Sequence, residues 1–167
     1  RAEDMRGAST ITQQVAKNML LDGTRKGAKG IERKIKEIIL ATRLEETISK
    51  DRILEIYMNQ IDLGYRSFGV AAAAQTYFNK TLDQLTVGEA AYLAALPKSP
   101  GKGLRPVEEY DNAVARRNYV LREMQQNGYI DEATYTAEKD LPLKTVQAGD
   151  YPAFRESLPP RDYFTDE

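Results

Sequence analysis

Thr10, Gln13, Gln14 and Lys17 put one hydroxyl, two amides and one cation on one side of a short helical stretch, with no carboxylate among them. Thr10 and Gln13 stand in the S/T-x-x-E/Q relation of a capping box, which marks a helix start. The first backbone N–H groups of a helix have no intrahelical partner and carry partial positive charge, so a donor-rich face there suits an anion, phosphate above all. The same residue types also suit a plain solvated face, and spacing alone does not separate the two. Glu37 is the second candidate. At about 100° per residue it falls between Leu40, Leu44 and Ile48, with Ala41 beside it. A carboxylate among apolar neighbours must be neutralised or paired. Arg33 at i−4 and Lys34 at i−3 are both in reach, which allows either an ordinary helix ion pair or a carboxylate held ready for chemistry.

The elements that carry these residues are nearly all helical. Ile11, Val15 and Met19 recur at i, i+4 and i+8 and predict an apolar stripe on a helix from about Ser9 to Leu21, with Met19, Leu20 and Leu21 in the core. Asp22 to Gly30 is a loop with three glycines and three cations, Arg25, Lys26 and Lys29. A second helix is predicted over Ile31–Ile48. Ser49 to Asp51 offers an N-cap for a third, ending near Asn59 or Gln60, with Ile53, Leu54, Ile56 and Tyr57 as core. Ile61 to Gly69 reads as a loop, Val70 to Phe78 as an alanine-rich helix. Thr86 and Glu89 form another capping box on a helix that Pro97 ends. Val107 to Gln126 reads as a long helix stopped at Gly128, and Asp131 caps a short one.

Composition narrows the chemistry. The 167 residues suffice for a real core. A net charge of −1 gives no basic footprint for nucleic acid. There is no Cys, and with no His the commonest general base and transition-metal ligand is missing. Catalysis would rest on carboxylates, Lys, Tyr, Ser or Thr. No apolar run approaches the roughly 18 residues of a membrane span.

Five stretches in order resemble one family. Gly7 to Asn18 (GASTITQQVAKN) resembles the second signature motif of the peptidoglycan glycosyltransferase domain of class A penicillin-binding proteins. Arg33 to Glu37 (RKIKE) resembles its third motif, R-K-x-x-E. Lys50 to Asn59 followed by Gly64 resembles the fourth, and Gly69 to Lys80 and Glu89 to Pro97 resemble the two stretches beyond it. The resemblance runs from about Gly7 to Tyr129. It implies an all-α, lysozyme-like domain, N-terminally truncated, over residues 1–140, with 141–167 as a linker toward a downstream transpeptidase.

The resemblance also implies roles. Glu37 matches an essential carboxylate near the donor's pyrophosphate, acting directly or through a metal such as Mg²⁺. Ser9, Gln14 and Lys17 match positions that contact the pyrophosphate, with Gln13 and Arg33 beside them, and Lys34 matches a further one. The basic loop is longer than usual, so either Arg25 or Lys29 matches a family arginine. Glu55, Tyr57 and Asn59 of the fourth motif are expected to be mainly structural. The implied reaction polymerises lipid II onto a growing glycan strand, forms an inverted β-1,4 link and releases polyprenyl pyrophosphate. The implied setting is the outer, periplasmic face of the bacterial cytoplasmic membrane, reached through an anchor on the parent protein, and moenomycin-type phosphoglycolipids are the implied inhibitors.

The family's general base is the Glu of a first motif, E-D-x-x-F-x-x-H-x-G. A sequence without His holds no complete copy of it. Glu3 and Asp4 match its first letters only, too close to Gly7. This chain alone is therefore expected to be inactive as a polymerase. Two other readings remain open at this point: a lysozyme-like or lytic-transglycosylase enzyme that cleaves glycan, and a non-catalytic helical scaffold or binding domain.

Overall fold

The computed structural model describes residues 10–23, 31–98 and 103–153. The all-α expectation holds: the described residues form helices and no strand, apart from an isolated antiparallel bridge between Asp62 and Phe68. The chain forms two compact units, residues 1–60 and 61–167.

The first unit contains α1 (Ile11–Gly23), α2 (Ile31–Thr47) and α3 (Lys50–Gln60), all three packed on one another. Thr10 caps α1 through its hydroxyl, which accepts from the N–H of Gln13 at 3.1 Å. Ser49 does the same for α3, accepting from Arg52 N at 3.2 Å. The buried face of α1 is Thr12, Val15 and Ala16, not the predicted Ile11–Val15–Met19 stripe. α1 packs on α2 and α3, and Ile11 and Met19 are exposed; the side chains of Leu20 and Leu21 lie outside the described residues. On α3, Ile53 is buried as expected, but Leu54 is exposed. Ile35, Ile38, Ile39 and Met58 are exposed as well, so much of this unit's apolar surface lies outside its core.

The second unit is built from α4 (Val70–Phe78), α5 (Val87–Ala95), α6 (Tyr110–Gln126) and α7 (Glu132–Lys139), with short 3₁₀ turns at Leu82–Gln84 and Leu96–Lys98. Its centre is aromatic. Tyr77, Phe78 and Tyr92 are fully buried, and the Tyr92 ring stands edge-on to Tyr77 at 5.5 Å and to Phe78 at 6.1 Å. Each such side chain contributes about 1.5–3 kcal/mol by burial. Their hydroxyls are not stranded: Tyr77 donates to Leu63 O at 2.6 Å and Tyr92 to Leu104 O at 2.8 Å. Burial pushes both phenols up from the usual tyrosine range.

The predicted capping boxes and stops are largely in place. Thr86 and Glu89 cap α5 reciprocally, and Asp131 accepts from Thr134 N at 2.7 Å to open α7. α6 begins three residues later than predicted, at Tyr110. Residues 105–109 form a preceding turn closed by Glu109 N to Arg105 O, and Glu109 provides no side-chain cap.

Two local features shape the surface of this unit. The loop 61–69 is pinned by Gly69 N to Ile61 O, Leu63 N to Ser67 O and Ser67 N to Gly64 O, at 2.7–2.8 Å. At its tip Tyr65 and Arg66 both have positive φ, 48° and 58°. That left-handed conformation costs about 1–2 kcal/mol for a residue with a Cβ. Further on, residues 143–151 return across the end of α4. Val146 N donates to Tyr77 O and the Gln147 amide to Thr76 O, which satisfies carbonyls that the last helical turn leaves open. Leu143 and Thr145 are buried there.

Candidate functional site

Glu37 sits on the interior face of α2, only 3% exposed, beside the buried Ala41 and the half-buried Leu40, Leu44 and Ile48. This is the position that helical periodicity assigned to it. Its carboxylate faces Lys34 Nζ at 3.6 Å, one turn earlier on the same helix. The Lys34 ammonium also donates to the side-chain oxygen of Gln13 on α1 at 3.4 Å. Lys34 therefore bridges α1 and α2 and joins the polar face of the first helix to the buried acid of the second. An ionised carboxylate inside a helical unit is tolerable when a cation and further hydrogen bonds share its charge.

The other candidates lie on α1, α2 and α3 or outside the described residues. Gln14 is half-buried and Lys17 exposed, one turn beyond Gln13 on α1. Arg33 is on α2, but its side chain is outside the described residues, as are Ser9, Arg25 and Lys29. Glu55 forms an exposed ion pair with Arg52 at 2.8 Å, within α3 itself. Tyr57 is half-buried, and burial raises its phenol pKa.

The donor set speaks to metal binding. Mg²⁺ prefers carboxylate, carbonyl and water oxygens. Here one carboxylate is met by an ammonium, and among the described residues no three acidic side chains come together. Glu37 offers the carboxylate that a Mg²⁺ ion shared with a ligand's phosphate oxygens would need, and Lys34, Lys17, Gln13 and Gln14 supply ammonium and amide donors on the same unit.

The segments that bring Gln13 and Glu37 together lie within a match to the model of the transglycosylase family over residues 1–125. The chain belongs to this family. Penicillin-binding protein 1A of Escherichia coli (strain K12) is 53% identical over 129 residues, covering 77% of this chain and 15% of that protein. Penicillin-binding protein 1A of Vibrio cholerae is 47% identical over 137 residues, covering 82% and 16%. The chain thus spans about a sixth of the length of these relatives. A crystal structure of penicillin-binding protein 1A from Haemophilus influenzae aligns with a TM-score of 0.56 and 33% identity over 84% of this chain and 17% of that one.

Within this transglycosylase unit, sequence reasoning missed a second charged cluster. In the second unit, Lys80 Nζ lies 2.9 and 3.0 Å from the two carboxylate oxygens of the buried Glu89 and 5.1 Å over the ring of Tyr151. Desolvation alone would lower the Lys80 pKa, but Glu89 and Tyr151 outweigh it and the net shift is upward. Arg117 is 2% exposed in the buried stripe Ala113–Arg117–Leu121 of α6, where it donates to Asn118 Oδ1 and to Lys139 O. Burial pushes its pKa down, opposed by Tyr110 and Glu138. The i, i+4, i+8 spacing of Ala113, Arg117 and Leu121 was a signal for this, masked by the usual assignment of Arg to the surface.

Proposed function

We propose that this chain carries the leaving-group half of a peptidoglycan glycosyltransferase site, in a protein that polymerises lipid II into β-1,4 glycan strands. The observation that supports it most is the Gln13–Lys34–Glu37 junction, which links two motif segments through one ammonium above a buried carboxylate. In the proposed reaction the acceptor 4-hydroxyl oxygen attacks the anomeric carbon of the donor glycan. The bond from that carbon to the pyrophosphate oxygen breaks, its electron pair leaves with polyprenyl pyrophosphate, and the anomeric centre inverts. Lys17 and Lys34, with the amides of Gln13 and Gln14, stabilise the departing charge. Glu37, 3.6 Å from Lys34 Nζ, does not meet that charge itself; it holds Lys34 in position to do so.

The hydroxyl proton must go to a general base. The family's base motif contains a His, which the 167 residues lack, so we propose that this chain does not turn over lipid II unaided. The cationic surroundings of Glu37 favour a diphosphate leaving group over the plain glycosidic oxygen of a glycan-cleaving enzyme. No helix among the described residues is long and apolar enough to cross a membrane. The exposed Ile35, Ile38, Ile39, Leu54 and Met58 support contact of the first unit with the outer face of the cytoplasmic membrane, where lipid II is presented. Moenomycin-type phosphoglycolipids would compete at the same anion site.

The test is binding of lipid II in detergent micelles to this chain. Lys17→Ala, an exposed substitution, is expected to weaken binding tenfold or more and to weaken moenomycin binding in parallel. Unchanged affinity for both would overturn the assignment.

A further inference from the structure

The loop 61–69 of the second unit holds two adjacent non-glycine residues in left-handed backbone and is closed by three internal backbone hydrogen bonds. Tyr65 and Arg66 occupy left-handed backbone where glycine would sit without strain. Strain of this kind persists where the surroundings over-determine it, and it gathers at functional sites. Here the surroundings do so. The Asp62–Phe68 bridge closes the loop, the Asp62 carboxylate accepts from Gly64 N at 2.9 Å, and the buried Tyr77 hydroxyl anchors Leu63.

The result is a fixed aromatic ring in water. Tyr65 is 42% exposed, its ring edge-on to Tyr77 at 5.6 Å and beneath the Arg105 guanidinium at 5.7 Å. Phe68, on the same loop, is 62% exposed. The neighbours are polar: Arg66, Asp62, and Arg105 with Glu108. A partner protein's apolar core would call for a continuous apolar patch. Two exposed rings, Tyr65 and Phe68, with a rim of charged donors and acceptors instead match a pyranose, which offers a flat face of C–H groups and an edge of hydroxyl, amide and carboxylate groups.

We propose that Tyr65 is a stacking platform for the N-acetylated β-1,4 glycan itself, with Arg66 meeting acidic groups carried by the strand. The inference rests on the glycosyltransferase reading and adds a sugar-recognising element independent of the pyrophosphate. It is tested with soluble tetrasaccharide of alternating N-acetylglucosamine and N-acetylmuramic acid, free of lipid and phosphate, titrated into the 167-residue chain by NMR. Tyr65→Gly removes the ring and relieves the positive φ. It is expected to weaken tetrasaccharide binding at least fivefold while the helical content by circular dichroism is unchanged. Tyr65→Phe keeps the ring and is expected to bind within twofold of wild type. Wild-type affinity in Tyr65→Gly, or equal loss in Tyr65→Phe, overturns the platform. Binding of lipid II is measured in parallel. If wild type binds lipid II but not the tetrasaccharide, the platform alone is wrong; if it binds neither, the glycosyltransferase reading fails with it.

Discussion

Replacing Lys80 by Met keeps the aliphatic stem and removes the charge that faces Glu89. Both carboxylate oxygens lose a hydrogen bond, of 2.9 and 3.0 Å. Glu89 retains its bond from Thr86 N at 2.9 Å but has a side chain only 10% exposed. Hydrogen bonds to a charged group contribute about 1.5–3 kcal/mol, and breaking a buried pair from one side costs about 3–5. The Tyr151 contact adds about 0.5–1 kcal/mol. Lys80 retains some solvent access, with its side chain 24% exposed, so the lower part of that range applies: about 3 kcal/mol. For a chain of this size that is a fall in Tm of roughly 6–12 °C. Because the folded pKa of Lys80 is raised, its contribution is complete below the ordinary value of 10.5 and is lost as pH rises through the folded value. Urea denaturation of wild type and Lys80→Met should thus show a constant gap from pH 7 to 10 that narrows at higher pH. Adding Glu89→Gln to Lys80→Met should recover part of the loss, since the amide still accepts from Thr86 and no unpaired charge remains. A single-mutant cost under about 0.5 kcal/mol, or a double mutant equal to the sum of the singles, would refute this reasoning.

Two further perturbations test the same unit. At Gly88 an added Cβ would lie 2.7 Å from Glu138 Oε2, the acceptor of the Gly88 N–H at 3.2 Å. Gly88→Ala should therefore lose about 1.5–3 kcal/mol of charged hydrogen bonding against about 1 gained in helix propensity, and should become neutral or stabilising in a Glu138→Ala background when followed by denaturant unfolding. Ending the chain at Asp140 removes the bonds to Thr76 O and Tyr77 O and the burial of Leu143, a loss of about 4–5 kcal/mol; circular dichroism melting should show an early or broadened transition.

Local chemistry was readable from the chain. The caps at Thr10, Ser49, Thr86 and Asp131 involve partners three residues away, so a few letters specify them. Glu37 was readable because the periodicity around Leu40, Ala41 and Leu44 is strong enough to place one acid on an inward face. The burial of Thr12 and Ala16 in place of Ile11 and Met19 was not readable, because partner helices choose the face. The pairing of Lys34 with Gln13 spans 21 positions, and the return of Gln147 to Thr76 spans 71. No period in the sequence encodes such distances. Tyr65 and Arg66 escaped for a different reason: left-handed backbone is usually announced by glycine, and here it is held by the surrounding hydrogen bonds.

The central claim is that Glu37, through Lys34, serves the departure of a lipid pyrophosphate. Its most direct test is turnover of labelled lipid II by the intact parent protein carrying Glu37→Gln, with circular dichroism to confirm the fold. The account predicts loss of at least a hundredfold in glycan polymerisation with the helical content unchanged. Near-native polymerisation by Glu37→Gln would contradict it.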